Sequence, residues 1–283
     1  MPAVRIGQCL NLGFGRLLVG SVLSVGLAFF AVPARAQSYQ EQGSAQEGPN
    51  GQGAADHWIV NLGVGALDMP TYPGASTHSV RPVPFVNISY GHLLVIGPDG
   101  VEVNLVDEDG LRIGPVIGFQ RGRDQSDDSR LNGLGNISPS MTAGIFVDYR
   151  TGPFDLVGTV NQAIPDTNYG LLARVRGDYR IQIIRKGIEF NIGPDVEFAD
   201  ASYNQTWFGV SQVQSAQSGL SAYSPGAGIK DVGLHAGLTA FVSQHILVRL
   251  FGTIERLTGN DAGSPIVQNK TQTSIGLGAA YHF

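Results

Sequence analysis

The constraint that governs this chain is a period of two. Trp58, Val60, Leu62, Val64 and Ala66 alternate with Asn61, Gly63 and Gly65. Leu171, Ala173, Val175, Gly177, Tyr179 and Ile181 alternate with Leu172, Arg174, Arg176, Asp178 and Arg180. Thr271 to Phe283 repeats the pattern, as do Ile188 to Phe198, Val232 to Val242 and Ile246 to Ile254. Such alternation marks strands, because successive side chains of a strand point to opposite faces. No 3.6-residue stripe competes with it. The segments are longer than the usual five or six residues of a soluble strand, and match the roughly 9–11 that a tilted strand needs to cross a bilayer. One face is apolar; the other carries charges and glycine. That is the signature of a transmembrane barrel, since a soluble sandwich would turn its polar face to water.

Composition fits this reading. Glycine is high, at 39 of 283 residues, and charged residues are low, at 14%. Gly233, Gly237, Gly276 and Gly278 fall on the predicted lumen face. A mean hydropathy near zero is then the average of two unlike faces. The expected fold is all-β, an antiparallel transmembrane β-barrel with an even strand number of 10–12, twelve preferred. The segments are 58–66, 83–95, 101–106, 111–120, 140–149, 153–162, 170–183, 188–198, 203–209, 231–242, 245–255 and 271–283. Counting back from the C-terminus places 121–139, 210–230 and 256–270 in outer loops. Segment 203–209 breaks the parity, so one strand is miscounted, before residue 120 or near 200.

The N-terminal part is organised differently. Arg5 and Arg16 precede an uncharged run from Leu17 to Val32, followed by Pro33-Ala34-Arg35-Ala36. A basic region, a short apolar core and an A-x-A site read as a secretory signal peptide covering 1–36 and cut before Gln37. Residues 37–56, rich in Gln, Gly, Ser and Glu, read as a disordered periplasmic tether. The barrel is 57–283. Three Arg and no acid leave with the signal, so the remainder is more acidic than the whole chain's net charge of −5. That argues against nucleic acid as a partner. The single cysteine, Cys9, lies in the signal. The mature chain therefore has no disulfide, thiol nucleophile or Cys-based zinc site.

The predicted lumen carries a charge ladder of Arg174, Arg176, Asp178, Arg180, Glu189, Asp195 and Glu197. A two-residue turn at 185–186 sets Arg174 opposite Glu197, Arg176 opposite Asp195 and Arg180 opposite Asn191. A turn at 186–187 sets Arg176 opposite Glu197 and Asp178 against Asp195. Turn chemistry prefers the second and charge pairing the first. The ladder is either a charged constriction or a set of ion pairs that fills a small barrel, the latter carrying more weight.

The search for catalytic motifs is negative: there is no G-x-S-x-G, Walker loop, G-x-G-x-x-G or H-E-x-x-H. No cofactor or metal site is expected. Asp107-Glu108-Asp109-Gly110 lacks calcium-ligand spacing and reads as a polar turn. His235 is expected on the lumen face as a hydrogen-bonded residue. Arg121, Arg123 and Arg130 with Asp124, Asp127 and Asp128 form a mixed-charge loop, where Arg could bridge lipopolysaccharide phosphates.

Several strings, in order, resemble one family. They are Tyr72-Pro73-Gly74, Arg81-Pro82-Val83-Pro84, Gly114-Pro115, Gly152-Pro153 and Phe208-Gly209-Val210. Ser218-Gly219-Leu220, Pro225-Gly226-Ala227-Gly228, Ser264-Pro265-Ile266-Val267 and Tyr281-His282-Phe283 complete the set. Over about 70–283 the chain resembles the MltA-interacting protein (MipA) / OmpV outer-membrane family. The family-like loop residues are Tyr72, Gly74, Pro84, Phe208, Gly209, Ser264 and Pro265. One departure is Ala75-Ser76-Thr77-His78, where the family more often has an acidic, aromatic stretch. Tyr281 and Phe283 are similar to the C-terminal signal read by the barrel-assembly machinery. The resemblance implies a non-enzymatic outer-membrane scaffold joining a murein lytic transglycosylase to a murein synthase, in contact with outer-membrane lipid and lipopolysaccharide. The alternatives are a passive pore with a charged lumen and a lipid-directed barrel enzyme. Pull-down of murein enzymes, conductance and lipid turnover separate the three.

Overall fold

Strand β1 (Trp58–Pro70) turns Trp58, Leu62 and Val64 outward and Asn61, Leu67 and Met69 inward. Its antiparallel neighbours are β2 (His78–Tyr90) on one side and β13 (Thr271–His282) on the other. The first and last strands thus meet, and the Phe283 amide donates to the Val60 carbonyl at 3.0 Å. The computed structural model describes residues 57–164, 169–184 and 187–283. The signal and tether expected at 1–56, and residues 185–186 of one expected inner turn, lie outside them.

The remaining strands are β3 (Leu94–Gly97), β4 (Gly100–Val103), β5 (Val106–Glu108), β6 (Leu111–Gln120), β7 (Ser140–Thr151) and β8 (Phe154–Ile164). They continue with β9 (Leu171–Ile184), β10 (Ile188–Ala199), β11 (Gly228–Phe241) and β12 (Ile246–Leu257). Every neighbouring pair is antiparallel, and β4 pairs β6 to close the ring. β4 and β5 are one wall strand broken at Asn104-Leu105. Val101 lies opposite Ile117 and Glu102 opposite Val116, whereas Val106 to Glu108 pair with β6 one residue out of step. Pro115 sits opposite the break, and a residue without an N–H interrupts a ladder. The closed antiparallel barrel therefore has twelve wall strands.

The expected number is right, but two segments differ. Residues 203–209 are not a strand. Ala201–Phe208 form helix α1, capped by the Asp200 carboxylate, which accepts from the Tyr203 amide at 2.7 Å. Tyr203, Trp207 and Phe208 are buried at helical spacing. The missing strand is found in 83–95, which spans the end of β2, a turn, and the start of β3.

The longer connections, among them 71–77, 121–139, 200–227 and 258–270, leave from one end of the barrel. The other end carries the tight turns, such as 91–93, 109–110 and 152–153. This asymmetry is the outer-loop, inner-turn rule of such barrels.

Candidate functional site

The β9–β10 register decides the lumen. Arg174 lies opposite Glu197, Arg176 opposite Asp195 and Arg180 opposite Asn191. It is the register that charge pairing prefers, because like charges directly opposite each other are destabilising. Arg174 forms an ion pair with Glu197. Asp178 accepts from the Asn191 amide at 2.7 Å. Arg180 reaches Asp155 on β8 at 3.3 Å, which Arg150 also meets at 3.2 Å. Glu189 faces Gln182 on β9 and Thr239 on β11. Outward positions between them carry Val175, Tyr179, Ile181, Ile192, Val196 and Phe198.

Three partners of this ladder come from β11. The β10–β11 register shifts between Glu197 and Phe198, so Lys230 is an extra residue and lies buried beside Asp231. A β-bulge turns a side chain toward a face that alternation denies it. The Lys230 ammonium pairs with Glu197, and with Asp231 at 2.6 Å. Strict period-two reading of 231–242 misses this lysine. His235 is on the lumen face as expected. Its Nε2 lies 2.8 Å from Asp178 and its Nδ1 3.4 Å from Asp195, so both ring nitrogens face carboxylates. The imidazole is thereby tied into the ion-pair network. Among the described residues no group of three His, Cys, Asp or Glu side chains is arranged to hold a metal ion.

Above the ladder the loops interlock. Tyr72, Ala75, Leu131, Leu134, Val210 and Ile266 form one buried cluster. Ile137, Ala199, Tyr203, Trp207, Phe208 and Leu257 form a second. Polar contacts stitch the loops together. The Tyr72 hydroxyl donates to the Ile266 carbonyl at 3.0 Å, and the Ser264 hydroxyl donates to the Phe208 carbonyl at 2.6 Å. Arg130 donates to the Pro265 carbonyl at 2.6 Å, and Arg123 to the Trp207 carbonyl at 2.9 Å. Arg123 of the mixed-charge loop is thus buried in the cap, whereas Arg130 bonds to it from an exposed position. Gly74, at φ +92, packs against Val267, and its amide donates to Gln272 at 3.0 Å. Gly209 ends α1, its amide donating to the Gln205 carbonyl. Of the seven family-like loop residues, six meet in this cap, and Pro84 lies in the β2 wall.

The cap holds titratable groups away from water. Burial, reinforced by Asp128, pushes the Tyr72 phenol up to about 12, and burial pulls Arg123 down to about 10. Asp261 lies in the short helix α3 (Gly259–Ala262), between α2 (Gln212–Ser218) in sequence and β13. Burial raises its carboxyl to about 7, against the opposing pull of Lys230. At the opposite end of the barrel, Tyr281 packs edge-on to Phe283 with ring centroids 4.7 Å apart.

A family model described as "MltA-interacting protein MipA" matches residues 62–283, which is the whole barrel but for the first residues of β1. The chain belongs to the MipA family. No curated protein matches it. Several solved structures are similar to this MipA-family chain at low identity. A NanC porin is 9% identical, covering 78% of this chain and 98% of its own, at a TM-score of 0.42. The outer-membrane channel DcaP of Acinetobacter baumannii is 9% identical, with coverage of 83% and 99% and a TM-score of 0.38. Salmonella typhi OmpF, in complex with daunomycin, is 10% identical, with coverage of 81% and 98% and a TM-score of 0.37.

Proposed function

We propose that this MipA-family barrel is a non-enzymatic outer-membrane scaffold whose partners are a murein lytic transglycosylase and a murein synthase. The observation that carries this reading is the closed upper half. A cap with its own apolar core covers the mouth, and ion pairs occupy the lumen beneath it. A barrel filled in this way has little passage to offer a solute, which leaves its faces as its working parts. The family description, naming a protein that interacts with MltA, supports the transglycosylase as one partner. The tether at 37–56, following a signal peptide at 1–36, and the inner turns supply the periplasmic contact. Tyr281 and Phe283 serve as the terminal signal for the assembly machinery. Lipid and lipopolysaccharide surround the wall.

Co-purification tests this function. A lytic transglycosylase is expected to be retained by the full chain and several-fold less by a chain lacking 37–56. Failure of the full chain to retain it would overturn the scaffold reading.

A further inference from the structure

Among the described residues, the wall of this barrel leaves the edge of β2 unpaired. β2 pairs with β1 along its whole length, from Trp58–Tyr90 to Pro70–His78. On its other edge it pairs with β3 only at Ile88, Ser89 and Tyr90. The β3–β4 hairpin turns back at Pro98-Asp99. Above it, among the described residues, no strand pairs with β2 from His78 to Val86. The next full strand is β6, three inter-strand spacings away, or about 14 Å between backbones. From Val80 to Val86 the open edge runs about 20 Å along the strand.

The gap is a framed window. Its sill is the hairpin turn, where the Asp99 carbonyl approaches Gly118 of β6. Its upper edge is held by the Thr77 hydroxyl, which donates to Asp128 at 2.6 Å, and by Arg81, 3.9 Å from Asp127. It also lies within the lipid-facing band. The outward side chains of β2 are apolar from Tyr90 to Val80, and the Asp68–His78 pair at 3.4 Å marks the outer limit. Val80 is 71% exposed, and Ile117 and Phe119 face outward on the far side.

An unpaired strand edge in hydrocarbon is costly, since each backbone donor there lacks a partner. This edge is blunted. The Gly91 amide donates to His57 and the Thr71 amide to Thr77, so odd-numbered residues of β2 bond to β1. Even-numbered residues point into the window, and two of them are Pro82 and Pro84. Proline has no N–H, and it also prevents another strand from docking along the edge.

Behind the window the lumen has charged groups at its top and foot, Arg81 and the buried Glu102, and an apolar stretch between them. Val83 faces inward in the row that runs through Gly65 of β1 to Gly278 of β13, with the buried Arg249 of β12 beyond it. Phe85 lies over Gly278, where an added Cβ would come 3.4 Å from the ring. The Phe251 ring covers Gly276. Apolar side chains over a glycine floor give an aliphatic chain a surface to lie on.

We infer that this window is a lateral portal, through which the acyl chain of a membrane lipid enters the glycine- and phenylalanine-lined side of the lumen. The chemistry required of the ligand is a flexible aliphatic chain arriving from the bilayer. The portal is independent of the scaffold role, since it concerns the opposite half of the barrel and a different partner.

Single thiols test it, because Cys9 is the only cysteine of the chain and can be removed as Cys9→Ser. A bimane label is placed at Val83→Cys, at Gly278→Cys, and at Thr253→Cys on the inner face of the closed β12 wall. The full chain is refolded into phosphatidylcholine vesicles containing phospholipid with brominated acyl chains. Labels at 83 and 278 are expected to be quenched several-fold more than the label at 253. Quenching at 278 no greater than at 253 overturns the portal, even if 83 is quenched, because a label two strands behind the window cannot swing into the bilayer. If Gly278→Cys fails to refold, Ala280→Cys on the same inner face, level with Phe85, replaces it, and the same comparison decides.

Discussion

Asp261 is buried in the cap with both carboxylate oxygens lacking hydrogen-bond partners. Its carboxyl titrates at about 7 in the fold against an ordinary 3.8, chiefly through burial. The folded cap therefore binds this proton more tightly than the unfolded chain does. The stabilisation is complete near pH 4 and is lost as pH rises through 7. Protease cleavage within 200–227 should be several-fold faster at pH 8 than at pH 5, and Asp261→Asn should flatten that dependence. Nothing local in Gly259-Asn260-Asp261-Ala262 announces this, because the charges that act on the carboxyl, Lys230 and Asp231, and the Tyr223 hydroxyl that holds the Asn260 carbonyl are remote in sequence. Tyr72, Gly74 and Ser264 were legible as motif residues, but their shared place was not. A string such as Tyr-Pro-Gly carries no information about which distant carbonyl its hydroxyl will meet.

At the scale of elements, the hairpin β9–β10 shows why charge pattern could choose a register. A one-residue slip would move every side chain to the other face, and a two-residue slip would set Asp178 against Asp195. Glu197 is central, since it holds Arg174 and Lys230 together with 2% of its surface exposed. Glu197→Gln leaves the half-buried Arg174 and the buried Lys230 without their shared counter-charge, Lys230 keeping only Asp231. Removing one partner of a buried ion pair costs about 3–5 kcal/mol. Urea unfolding from lipid vesicles should show a loss of that order, whereas Glu108→Gln in the exposed strand β5 should be near neutral. Segment 203–209 misled by its spacing. Tyr203, Gln205 and Trp207 alternate, yet the Asp200 cap and the apolar pocket above the barrel favour a helix. The bulge that turns Lys230 inward is likewise invisible to a rule of strict alternation.

The molecule as a whole is a barrel with two unlike ends. Its outer loops form a folded layer with their own core, and its inner turns are short. Such a cap predicts electrical silence. Planar-bilayer recordings of the full chain should show no stable conductance steps, and deletion of 211–222, which carries α2, should create them. Steps of constant size from the intact chain would contradict a closed cap. The lumen is graded as well: β6 to β11 carry most of the ion pairs, and β13, β1 and β2 carry glycines and phenylalanine among uncharged polar groups such as Asn61, Asn87 and Gln272.

The sequence alone determined the class of fold, the direction in which most strand side chains point, and the separation of short from long connections. These follow from a period of two and from turn composition, which are local properties. It also narrowed the lumen register to two choices. The tertiary structure decided what depends on closure. The short β3–β4 hairpin is set by where the chain turns back, and the window it leaves exists only once β4 meets β6 around the ring. The cap likewise requires four loops, up to about two hundred residues apart in sequence, to be brought over one mouth by strands of matched length. Contacts of that range reflect geometry summed around the barrel, and no single segment of the chain records it.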